Sequence, residues 1–147
     1  MPRNSGVLLV AGAMLIDLSM GQRADELSVR ISAFALSVLR MIKLMPPDVA
    51  NDVVIRHVAR SASGLSSNYR SACSACSRAD FVAKLAVALE EADETSHWLW
   101  MAQELQIGPP SRLRKLASEA KELRAILSAS VSAARRNLRE STIRQRS

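Results

Sequence analysis

Two proline pairs, with a strict apolar periodicity on either side of them, leave this chain few ways to fold. Pro46-Pro47 and Pro109-Pro110 lack the backbone N–H that a helix interior requires, so a helix reaching either pair must stop there. Around and between them apolar side chains recur every three or four residues, the spacing that lines one face of an α-helix. Leu27, Ile31, Phe34, Val38, Met41 and Met45 make the first stripe and predict a helix over 24–45. Val54, Val58, Ala62, Leu65, Tyr69, Cys73 and Cys76 make the second. Phe81, Leu85, Ala88, Ala92, Thr95, Leu99 and Ala102 make the third, with Val82, Leu89 and Trp100 widening it. Leu113, Leu116, Ala120, Leu123, Leu127, Val131, Ala134 and Leu138 make the fourth. Short connections between long helices force each to run back along the one before it, so the predicted fold is all-α: an antiparallel up-down-up-down four-helix bundle.

Local signals agree with this division. Pro47 suits the first turn of the second helix, with Asp48 near its positive end. Ser77 is placed to cap the third helix, with Asp80 three residues on, and Ser111 to cap the fourth. Within the second helix the run Ser61-Ala62-Ser63-Gly64 is poor in helix propensity, Gly64 losing about 1 kcal/mol against alanine. Such a run marks a place where another helix comes close.

The bundle is expected over 24–139, with an N-terminal extension at 1–23 and a basic C-terminal tail at 140–147. Val7 to Ile16 is apolar behind Arg3, but Asp17 follows at once, and the run is about half the roughly 20 residues a membrane span needs. No membrane association is expected, and Met14 or Met20 could serve as the start. Two cysteines are too few for a secreted disulfide framework, which places the chain in a cytoplasm. The net charge of +6 is uneven: from Ser111 onward ten Lys or Arg stand against Glu119, Glu122 and Glu140, so the basic character belongs to the last helix and its tail.

Few groupings could carry chemistry. Glu94 and His97 make the Glu-x-x-His pair that di-iron bundles use, yet the only other histidine, His57, has Val53 and Val54 where a matching glutamate would stand. Glu90, Glu91, Asp93 and Glu94 therefore read as partners of Arg56, Arg60 or Lys84, or as a solvated face. Cys73-Ser74-Ala75-Cys76 has neither a second cysteine pair nor a βαβ setting, and reads as two thiols facing the core. No metal, cofactor or enzymatic site is expected. Trp98 and Trp100 lie about 200° apart around their helix, so one of them must reach the surface. With Ile126, they are the candidate contacts to a partner or a second copy. Arg135, Arg136, Arg139, Arg144 and Arg146 are the candidate phosphate contacts.

Taken in order, several short motifs resemble one family. They are Asp25-Glu26-Leu27 with Phe34-Ala35; Arg60-Ser61, Asn68-Tyr69-Arg70 and Ala72-Cys73; Phe81-Val82-Ala83-Lys84-Leu85; Glu90-Glu91-Ala92-Asp93-Glu94-Thr95 with Trp98-Leu99; and Ala134-Arg135-Arg136-Asn137. The series resembles the bacterial four-helix bundle proteins first met as products of intervening sequences in 23S ribosomal RNA genes. The resemblance implies a left-handed bundle similar to the family's homopentamers, with a biochemical role not settled. More distant relatives, basic accessory proteins of diversity-generating reverse transcriptases, imply contact with nucleic acid and a polymerase. Ser63-Gly64-Leu65-Ser66-Ser67 departs from the family's Thr-Ser-Val-Gly-Ala-like stretch, and Ser74 and Cys76 stand where close relatives carry arginines, which weakens a basic patch on the second helix.

The leading expectation is thus a non-enzymatic, self-assembling scaffold or adaptor. The alternative is a basic accessory protein that binds RNA or DNA. The lack of aromatic residues among the terminal arginines argues against base stacking and for phosphate contacts of low selectivity.

Overall fold

A computed structural model describes the backbone of residues 5–146 and the side chains of residues 21–146. Four helices follow one another: α1 Ser5–Ile42, α2 Val49–Cys73, α3 Arg78–Glu104 and α4 Pro110–Arg146, with no strand among the described residues. Side-chain pairs fix their directions, because residue numbers rise along one helix as they fall along its neighbour. Tyr69 Oη reaches Ala24 O and Ser32 meets Ser66 between α1 and α2. His57 stacks on Trp98 and Arg60 pairs with Glu94 between α2 and α3. Asp93 pairs with Arg124 between α3 and α4, and Arg30 with Glu119 between α1 and α4. Each helix packs on its sequence neighbours, α1 closes on α4, and neither diagonal pair touches among the described residues. This is the antiparallel up-down-up-down four-helix bundle that the stripes predict.

The helix ends differ in detail from the sequence expectations. α1 starts at Ser5, and Ala24 marks where it enters the bundle. Residues 1–4 of the N-terminal extension lie outside the described residues, as do the side chains of 5–20. Asp48, not Pro47, opens α2: its carboxylate accepts from Ala50 N at 2.8 Å, which leaves Pro47 ahead of the cap. Ser77 caps α3 as expected, accepting from Asp80 N at 3.0 Å. The return bond goes from Cys76 N to Asp80 Oδ2 at 3.1 Å, one residue further back than in a capping box. α4 begins at Pro110, whose fixed φ suits a first helical position, so Ser111 lies inside the first turn and is not the cap. The turn before it needs left-handed backbone at Gln106 (φ 55°) and Gly108 (φ 102°). α4 then continues through the predicted tail to Arg146, because neither glycine nor proline follows Pro110 to break it.

The core is the four stripes almost residue for residue, with Ile31, Val38, Val58, Leu65, Leu99, Leu123 and Leu127 fully buried. The second stripe fails at its end. Ala72 is the buried residue after Tyr69, whereas Cys73 and Cys76 are exposed, so the thiols do not face the core. α2 stops at Cys73, which leaves Cys76 in the turn where helical spacing no longer applies. The small run does mark a close approach. A Cβ at Gly64 would lie 2.7 Å from Glu91 Cδ, and Ser61 is fully buried with its hydroxyl donating to Val58 O at 3.4 Å. Thr95, also fully buried, donates to Glu91 O at 2.7 Å, so neither hydroxyl is stranded.

The seam between α1 and α4 is the thinnest of the four, and an ion-pair network spans it. Arg30 donates to Glu119 through Nε at 2.6 Å and Nη2 at 2.8 Å, and to Glu122 at 2.6 Å. The two-point hydrogen bond to Arg30 holds the Glu119 carboxyl below its ordinary value. A depressed carboxyl stabilises the fold above its unfolded pKa, near 4.3, and the contribution is lost as pH falls through the depressed value. Arg30→Met is therefore expected to lower stability at pH 7 by about 1 kcal/mol, the modest value reflecting partial exposure. Thermal melts at pH 7 and pH 3 check it: the gap between native chain and variant should shrink at the lower pH, and an equal gap at both would contradict it.

Candidate functional site

Acidic residues of α3 meet arginines on both neighbouring helices. Glu94 accepts from Arg60 at 2.9 Å as the sequence suggests, while Asp93 turns to Arg124 of α4. Arg56 and Lys84 instead pair four residues away on their own helices, with Asp52 and Asp80. Glu91 is half-buried with Oε2 unpartnered, and desolvation, reinforced by Glu94, raises its carboxyl above the ordinary range. His97 lies edge-on to Trp98 at 5.1 Å and 5.9 Å from Trp100, so the Glu-x-x-His pair is divided between an ion pair and an aromatic contact. No group of three His, Cys, Asp or Glu suited to a metal occurs among the described residues. No helix there is long and apolar enough to cross a membrane.

The three aromatic and aliphatic contact candidates do not form one patch. Trp98 is half-buried and stacked on His57 of α2 with ring centroids 4.1 Å apart, whereas Trp100 is 50% exposed. Trp98 belongs to the α2–α3 seam, whereas Trp100, seven residues after Asp93, falls on the side of α3 from which Asp93 reaches Arg124 of α4. Ile126 lies across the bundle, in a cleft of about 420 Å³ between α1 and α4 with Arg23, Leu27 and Ser130.

A stronger apolar surface lies on α1. Val29 is 71% exposed and Leu36 51% exposed, and Ala33 between them is exposed too. Seven residues are about two turns, so Val29 and Leu36 fall on one line, with Ala33 beside it. Ile31, Phe34 and Val38 lie roughly opposite, in the core. Leu39 on the same helix and Leu44 in the turn just past its end are exposed as well. α1 thus has two apolar faces, one of which covers nothing in its own bundle. The sequence reading passed over it because a single stripe already satisfied the fold.

The basic end of α4 is partly sorted by helix geometry. At about 100° per residue, Arg135, Arg136, Arg139 and Arg146 share one side. Arg144 falls elsewhere, lining a cleft of about 800 Å³ with Arg78, Phe81 and Leu138. All five arginines are exposed.

Two comparisons bear on these surfaces. The sequence profile of the 23S rRNA-intervening sequence protein matches residues 21–129. A solved structure of a protein with unknown function from the S23 ribosomal protein family of Bacteroides thetaiotaomicron superposes with a TM-score of 0.65 at 25% identity. That match covers 74% of this chain and 97% of the other. No curated protein matches the chain. The profile ends before the arginine-rich end of α4, so those five arginines lie beyond the matched residues.

Proposed function

Since the chain belongs to the family of the 23S rRNA-intervening sequence protein, matched over residues 21–129, we propose that it works as a non-enzymatic scaffold that assembles with copies of itself. The observation that carries this is the outer face of α1. Val29, Ala33 and Leu36 point away from the core, and burying each of the larger two against another surface contributes about 1–2 kcal/mol. A face of this kind on a helix that already has a full core side is what a contact between subunits requires. The ring of five implied by the family resemblance is the proposed form. Trp100, exposed on α3, is then left for a protein partner.

A second reading is supported by the shared side of Arg135, Arg136, Arg139 and Arg146. In a ring these ends would be gathered together, and a weak phosphate contact would be multiplied by effective concentration. A labelling experiment separates the two readings. In a chain with Cys73 and Cys76 replaced by serine, a solvent-sensitive dye at Leu36→Cys should shift to the blue as protein concentration rises. The same dye at Ser132→Cys, one turn before Arg135 and Arg136, should respond to duplex DNA at low salt and recover at physiological salt. No concentration response at position 36 counts against assembly through α1, and no response to duplex at position 132 removes the second reading.

A further inference from the structure

We infer that the cleft between the last turns of α1 and the first turns of α4 binds phosphate groups, a site separate from the arginine-rich end of α4. The cleft measures about 390 Å³ and is lined by Ser37, Arg40, Met41, Arg112, Lys115 and Leu116. Its floor is apolar, Met41 and Leu116 being buried, and its rim carries three exposed cations. No carboxylate lines it.

The arrangement gathers positive charge that a bound anion would neutralise. Arg30, Arg56, Arg60, Lys84 and Arg124 each face a carboxylate; among the cations without an ion pair in the described residues, Arg40, Arg112 and Lys115 share one cleft. Arg112 also sits in the first turn of α4, at the positive end of its dipole, where a cation is disfavoured. α2 and α3 place Asp52 and Asp80 at that position, and α4 has no acidic residue in its first turn. Like charges therefore converge on one cleft: three cations face one another, and a helix N-terminus adds to the repulsion on Arg112. An apolar floor beneath same-sign charge concentrates the field. The Arg40 and Arg112 guanidinium forks match phosphoryl oxygens in pairs, while Lys115 adds a compact charge. Three positive charges suit two or three linked phosphates better than a single carboxylate. The Ser37 hydroxyl proton is committed to Ala33 O at 2.9 Å, so the cations carry the recognition. From Arg112 to Arg136 is about 36 Å along α4, too far for one short ligand to touch both ends.

Sodium tripolyphosphate is the probe, titrated calorimetrically at low ionic strength. The native chain and an Arg70→Gln, Lys121→Gln variant, altered at two exposed cations outside the cleft, should bind it alike, and Arg112→Gln with Lys115→Gln should weaken it at least tenfold. Without ligand the latter variant should melt no lower than the native chain, since it relieves repulsion, which separates lost binding from lost folding. A single-stranded RNA oligonucleotide in a parallel arm tells the sources apart. If the strand loses affinity with Arg112 and Lys115, its backbone supplies the phosphates. If only tripolyphosphate responds, the ligand is a free oligophosphate. Failure of the native chain to bind either probe would overturn the site, as would equal binding by the Arg112→Gln, Lys115→Gln variant.

Discussion

Chains carrying Val29→Glu and Leu36→Glu together are expected to run as monomers at concentrations where the native chain is assembled, with helix content unchanged. Both positions point away from their own core, so the substitutions remove nothing the single bundle needs. In an assembly they lose apolar burial of about 1–2 kcal/mol at each side chain and add a charge that must be desolvated, at a further cost of several kcal/mol. Since 1.4 kcal/mol is a factor of ten, the association constant should fall by at least three orders of magnitude. Sedimentation velocity and circular dichroism on the same samples check this. An assembly unaffected by the double substitution would move the interface off α1, and loss of helicity would show that Val29 and Leu36 support the fold itself.

Within the bundle the largest effect is expected at Leu99. Its side chain is fully buried on α3, and Leu99→Ala should cost about 2–5 kcal/mol, the lost transfer energy plus that of the cavity left behind. Against a total stability of roughly 5–15 kcal/mol that is a large fraction. The melting temperature should fall by roughly 5–20 °C. Trp100→Ala, one residue further on and half-exposed, should change stability by less than about 1 kcal/mol. Melts should be compared at equal protein concentration, because assembly stabilises by mass action. A loss at Leu99 no larger than that at Trp100 would contradict the packing described here.

Most of the fold is readable in the sequence because helical periodicity and paired prolines are local signals. The four stripes, the Ser77 cap and the close approach at Gly64 all follow from spacing within one segment. The failures are local as well, and each has a reason. Extending the second stripe from Tyr69 by four residues chose Cys73, where a step of three gives the buried Ala72. Choosing Ser111 as a cap overlooked how well Pro110 fits a first helical position. What could not be read is tertiary. Arg30 and Glu119 are 89 residues apart, and no spacing rule links them. The cations at Arg40 and Arg112 become one cleft only when α1 and α4 are brought side by side. The outer face of α1 lies between these cases: Val29 and Leu36 stand seven apart in plain view, and asking each helix for a second stripe would have found them.

That second face is the central claim, and the mass of the untagged native chain in solution tests it most directly. Multi-angle light scattering across a dilution series from high to low micromolar should give a mass several times the 16.0 kDa of one chain, and five times for the ring the family resemblance implies. A single 16.0 kDa species throughout that range would contradict it.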